Sequence, residues 1–166
     1  RMAAAEALTA ARLLLPLGTA LAEGTLRTLA AHQGLRHDPA TGEEPGRMPE
    51  ELPAHRPVDR PPELEPTSYH GAIAPTPLWI VLLHDAWRAG LPLEAVRELR
   101  TGLHAALGWL HERVGEGFLL DEARSALDDQ GSSHPGGAPT DAPVASARLQ
   151  ALACRAGLGA AALLDA

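Results

Sequence analysis

The chain has 166 residues, 45% of them hydrophobic but only 3% aromatic, so alanine and leucine must fill the core, and both favour helix. Its formal net charge is −7 and its 14 basic residues are all arginine, with no basic stripe for neutralising phosphates, which argues against nucleic acid as a partner. No apolar run reaches the roughly 18 residues of a membrane helix, and the single cysteine, Cys154, cannot close an internal disulfide, so no membrane partner and a reducing, cytoplasmic setting are expected.

The expected fold class is all-α, a single domain over 1–166. A first helix is expected over 3–15, stopped by Pro16-Leu17-Gly18; Glu6 and Arg12 interrupt its apolar face and argue against a signal peptide. A start at Arg1 rather than methionine fits a fragment of a longer product. A second helix is expected over 19–33, with Leu26, Leu29, Ala30 and Gln33 at helical spacing and Gly34 as its stop. Residues 35–75 hold nine prolines and read as a long loop, the kind of segment that carries function in a compact domain. Thr76 reads as an N-cap and Pro77 as the first position of a third helix, which ends at Gly90. Its run from Leu78 to Leu83 has no polar face, so it should be the most buried element. A fourth helix is expected over 93–114, with Val96, Leu99, Leu103, Leu107, Leu110 and Val114 on one stripe, broken by Gly115-Glu116-Gly117. A second loop, 121–142, leads to a fifth helix beginning near Pro143 and running through Leu149, Leu152, Ala153 and Ala156; Gly157 and Gly159 leave its end undefined. Cys154 reads as a small buried residue. Antiparallel helical hairpins of this kind gather their long loops at one end.

Several blocks then point to a family. Ala11-Arg12-Leu13-Leu14-Leu15-Pro16-Leu17-Gly18-Thr19, followed by the stretch from Gly24 through His32-Gln33-Gly34, is similar to the opening of the amylo-α-1,6-glucosidase, or glycogen-debranching, family. Gly42-Glu43-Glu44-Pro45-Gly46-Arg47-Met48-Pro49-Glu50-Glu51 resembles that family's acidic-Pro-Gly-basic stretch. Tyr69-His70-Gly71-Ala72-Ile73-Ala74-Pro75-Thr76-Pro77-Leu78-Trp79 resembles its Tyr-Tyr-Gly-x-x-Asp-x-Thr-Pro-Leu segment. Asp129-Gln130-Gly131 is similar to Asn-Gln-Gly, and Ala142-Pro143-Val144 with Leu149-Gln150 to Gly-Pro-Ile and Val-Gln. Order and spacing hold over nearly the whole chain. The resemblance implies part of an (α/α)6 barrel, with fewer than half its helices, and a branched α-glucan or oligosaccharide as the partner. The uncovered barrel faces would favour self-association. It implies no cofactor and no metal.

The resemblance also implies inverting glycoside hydrolysis, in which one carboxylic acid protonates the leaving oxygen and a carboxylate activates water. In the family, the acid follows Asn-Gln-Gly. Here Gly131 is followed by Ser132-Ser133-His134-Pro135 in a shortened segment without that aspartate, and the family's base falls beyond Ala166. The family's Arg-Asp pair near the first helix falls on Ala5 and Glu6, the Asp before Thr-Pro falls on Ala74, and a His falls on Glu50, while Glu51 is kept. Glu6, Glu51, Tyr69 and Gln130 are the substrate-binding positions the resemblance implies. Glu51 and Asp129 are the carboxylates left as catalytic candidates, with Asp128, Glu43, Glu44 and Glu50 as neighbours that read as solvated. The expectation is a debranching-type glucosidase-like domain that does not hydrolyse as this chain. The rival from another class is a non-catalytic helical scaffold or weak glycan-binding module.

The eight histidines offer no metal spacing, since His104 and His111 lie two turns apart on one helix. Trp79, Trp87 and Trp109 stand among leucines and read as core rather than sugar platforms.

Overall fold

A computed structural model describes residues 2–53, 68–115, 117–120 and 144–166. Among the described residues the fold is all-α apart from one short strand pair. Its helices are α1 (Ala4–Leu13), α2 (Ala20–Ala30), α3 (Pro75–Arg88), α4 (Leu93–Glu98), α5 (Arg100–Val114) and α6 (Ala147–Leu164), with a 3-10 turn at Leu15–Leu17. Strands β1 (Met2–Ala3) and β2 (Glu51–Leu52) pair antiparallel, Met2 opposite Leu52 and Ala3 opposite Glu51.

Helix α3 is the axis of the molecule. It packs against α1, α2, α5 and α6, and its run from Pro75 to Leu83 is buried throughout, with Ile80 at 0% and Val81 at 1% exposure. The all-apolar face expected from Leu78 to Leu83 therefore meets protein on every side. Chain direction follows from two contacts. Arg12, near the end of α1, bonds Asp85 near the end of α3. Trp79, near the start of α3, donates its indole N–H to the Leu26 carbonyl in the second half of α2. So α1 and α3 run parallel and α2 runs against them. The start of α1, the end of α2 and the start of α3 thus share one end of the bundle, where residues 31–53 and 68–74 gather.

Several boundaries differ from expectation for physical reasons. The expected cap Thr76 lies inside α3, which begins at Pro75; its hydroxyl is fully buried and accepts the Met48 N–H at 3.0 Å. Tertiary use of the hydroxyl has replaced capping. The expected helix over 93–114 is split at Leu99, whose N–H bonds back three residues to Val96 rather than four. The stripe survives in part: Val96, Leu99, Leu103 and Leu110 are buried. Helix α6 starts at Ala147, four residues after Pro143, because the Ser146 hydroxyl accepts the Leu149 N–H and caps it. It then continues past Gly157 and Gly159 to Leu164. Gly159 lies so close to His84 that a Cβ there would sit 3.0 Å from the His84 Cβ. The small face of Ala156, Gly159 and Ala160 is what lets α6 lie against α3. Cys154, expected to be buried, is exposed on α6. The expected loop over 121–142 lies outside the described residues.

Asp85 ties three helices together. Its carboxylate accepts from Arg12 of α1 at 2.6 Å and from Arg155 of α6 at 2.8 and 2.9 Å, with His84 Nδ1 at 3.3 Å. Burial pushes its carboxyl up, but the bonds from Arg12, Arg155 and His84 outweigh this and hold it below the usual carboxylate range. A depressed folded-state pKa stabilises the fold above the unfolded value of about 4, and that stability is lost as pH falls through the lower folded value. Asp85→Asn is expected to cost about 1.5 kcal/mol at pH 7, the low end for charged hydrogen bonds, because both arginines are partly solvated. Urea melts at pH 7 and pH 3 check this: the gap between wild type and variant should narrow at the lower pH.

Candidate functional site

The site end is built from the segments between α2 and α3. After α2, Gln33 turns inward and its side-chain amide donates to the carbonyls of Gly46 (2.9 Å) and Gly102 (3.0 Å). Gly34 and Gly46–Arg47 pair through the main chain, with Gly46 N–H to Gly34 O at 2.8 Å and Gly34 N–H to Arg47 O at 2.9 Å. Glycine is required at both positions, because a Cβ on Gly34 would overlap the Glu44 carbonyl and one on Gly46 the Ala105 carbonyl of α5.

Arg47 is only 7% exposed. Its guanidinium donates to the carbonyls of Gly42 (3.1 Å) and Gly71 (2.7 Å), and it lies 5.4 Å from the centre of the Trp109 ring. Glu44 accepts the Trp109 indole N–H at 2.5 Å and forms an ion pair with Arg113 near the end of α5. Beyond it, Glu43 accepts the Leu35 N–H at 2.9 Å and faces Arg36 at 3.3 Å. His70 N–H bonds the Thr41 carbonyl at 2.8 Å, and its ring Nε2 faces the His32 carbonyl at 3.2 Å. Around this knot an open cavity of about 220 Å³ is lined by His32, Gln33, Arg36, Thr41, Glu43 and His70, among others.

Beside the knot runs a short main-chain strip. Glu51 pairs with Ala3 on one side and with Tyr69 on the other; Tyr69 N–H donates to Glu51 O at 3.1 Å, and Tyr69 O accepts from Glu50 at 2.7 Å and Glu51 at 3.1 Å. The Ala4 N–H closes on Glu50 O at 2.8 Å. Of the substrate-binding positions expected from the sequence, Glu51 and Tyr69 are thus neighbours, Tyr69 being 48% exposed. Glu6 is exposed in the first turn of α1, just past the strand that pairs with Glu51. Gln130 and the catalytic candidate Asp129 lie outside the described residues.

The chain brings together most of the blocks that carry the resemblance: Gln33-Gly34, Glu43 to Arg47 and His70-Gly71 meet in one bonded cluster. No family model matches the chain, and no curated protein matches it.

Neither Glu43 nor Glu44 is poised as a general acid. A glycosidase acid needs a carboxyl pushed up, so that it holds a proton near neutral pH. Glu43 is held below the usual range by the Leu35 N–H and by Arg36. Burial raises Glu44, but Trp109, Arg113 and Arg47 together bring it below the usual range. Both are therefore ionised acceptors. They are not free solvated side chains as expected from sequence, because arginines and main-chain donors converge on them. Among the described residues no three His, Cys, Asp or Glu side chains gather to hold a metal ion, and no helix is long and apolar enough to cross a membrane. Trp79 (0%) and Trp109 (3%) are core, as read from sequence, and Trp87 is partly buried.

The residues that sequence reasoning missed are Gln33, Arg47, His70 and Gln150. Each is a polar side chain spent on main-chain groups distant in sequence. The only signal available was their position within the family-like blocks.

Proposed function

We propose that the chain is a glycogen-debranching-type α-1,6-glucosidase-like domain, part of an (α/α)6 barrel, that meets branched α-glucan and does not itself hydrolyse it. One observation carries this reading: blocks that resemble the family in order and spacing converge at the end of the helices where Glu51, Tyr69 and the start of α1 also lie. The absence of hydrolysis rests on chemistry. Glu43 and Glu44 are held ionised, and the segment after Gly131 lacks the family's aspartate. The partner class is a branched α-oligosaccharide, met in the cytoplasm without cofactor or metal. The scaffold alternative draws support from the same knot, since Gln33, Glu44 and Arg47 are all spent on internal bonds.

Two measurements separate these readings. Purified chain incubated with panose or isomaltose should release no glucose; turnover that disappears in a Glu51→Gln, Asp129→Asn double variant would show that those carboxylates do the chemistry. Calorimetric titration with a branched dextrin should give weak binding that Tyr69→Ala reduces at least several-fold. A folded chain that binds no dextrin would leave the scaffold reading.

A further inference from the structure

His70 is the buried titratable group that the glucan reading does not use. It is 3% exposed. With Nε2 facing the His32 carbonyl at 3.2 Å, the ring proton sits on Nε2, since only a donor satisfies a carbonyl. Nδ1 is then a bare lone pair, and it has no hydrogen-bond partner among the described residues. The ring sits at a seam. On one side lie residues 32–47, through the His32 carbonyl and through Thr41, whose carbonyl takes the His70 N–H. On the other lie residues 68–71, where the next carbonyl, Gly71, takes Arg47. Gly42 (φ +69) packs its α-carbon against the His70 carbonyl, where a Cβ would lie 3.2 Å away.

We propose that His70 is a proton-operated latch: a proton taken up at Nδ1 expels the ring from the seam, frees residues 32–47 from residues 68–71, and widens the cavity they line.

A second proton would create a buried cation whose new N–H has no acceptor. Burial opposes this charge first, and the Arg47 guanidinium and His32 add to the opposition. The His32 carbonyl and the Glu43 carboxylate favour the charge, but Glu43 is already engaged by Leu35 and Arg36. The balance pushes the ring's pKa below the usual histidine value. A histidine depressed in the fold contributes stability above its unfolded value of about 6.5, and that contribution is lost as pH falls below it. At pH 5.5 the released ring is about tenfold easier to protonate than at its unfolded pKa, so opening of the seam should rise by up to about tenfold over pH 7.5.

Hydrogen exchange of the whole chain, corrected for the intrinsic pH dependence, reads this directly. Peptides within 32–47 and 68–74 should gain several-fold faster exchange at pH 5.5, while α3 does not change. His70→Gln keeps an amide donor for the His32 carbonyl but cannot titrate, and should abolish the step. Equal exchange at the two pH values in the wild type, or a step that persists in His70→Gln, overturns the proposal. If His70→Gln fails to give a helical spectrum, the wild-type ring is titrated by NMR. A His70 pKa below 6.5 with coincident shifts in residues 32–47 supports the latch, and a pKa at or above 6.5 overturns it.

Discussion

Trp79→Ala is expected to lower stability by roughly 3–5 kcal/mol, the range for removing a large aromatic from a packed core. Trp79 is 0% exposed, stands in the first turns of the central helix, and is the largest of the fully buried side chains. Its indole N–H also holds the Leu26 carbonyl of α2 at 3.0 Å, and its ring reaches Gly102 of α5. Truncation would open a cavity where α2, α3 and α5 meet. Single domains have only about 5–15 kcal/mol in total, so the variant should melt about 10 °C or more below wild type by circular dichroism. Trp87→Ala is the comparison, because Trp87 is only partly buried and should cost clearly less. Equal losses in the two variants would contradict the central place of Trp79.

Gly46→Ala should be nearly as damaging, for a different reason. Gly46 has φ +86, a conformation that costs an L-residue roughly 1–2 kcal/mol. Its α-carbon also abuts α5, so an added methyl would overlap the Ala105 carbonyl and press on the Trp109 Cβ. Backbone cannot rotate away as a side chain does, and overpacking adds about 1–3 kcal/mol. A loss of roughly 3 kcal/mol or more in urea melts is expected. Two other glycines separate the contributions. Gly18→Ala carries strain alone, with φ +127 and open space around it. Gly24→Ala, inside α2 with nothing within 4 Å, should stabilise by about 0.5–1 kcal/mol. A Gly46→Ala cost no larger than that of Gly18→Ala would show that the approach to α5 is unimportant.

The helices were legible because proline, glycine and apolar spacing act locally. Pro16-Leu17-Gly18 ends the first hairpin arm, and the unbroken apolar run from Leu78 to Leu83 marks the central helix. What escaped depends on partners far along the chain. Thr76 obeys the local rule for a cap, yet its hydroxyl is claimed by Met48, 28 residues away. The strand pair is too short to leave any period-two pattern, and only the meeting of Met2 with Leu52 creates it. At the site end the residue types were visible but not their roles. Glu44 reads as a solvated loop carboxylate until Trp109 and Arg113, both more than 60 residues later, fold onto it. Cys154 failed the other way: its neighbours Leu152 and Ala153 suggested burial, but its own direction on α6 faces solvent.

Gln150 behaves as a borrowed stretch of main chain. Its side-chain amide takes the Leu119 N–H at 3.0 Å and returns an N–H to the Leu119 carbonyl at 2.6 Å, closing a reciprocal pair across 31 residues. The chain on either side of that clasp is anchored to α5 and α6, whatever lies between. Closing a tether costs free energy only as the logarithm of its length, about 0.6 kcal/mol per doubling. A change in the length of the connection between Leu120 and Val144 should therefore cost the clasp little. Under the proposed debranching-type reading the shortened segment after Gly131 falls in that connection, so its length can vary while the clasp between Leu119 and α6 persists.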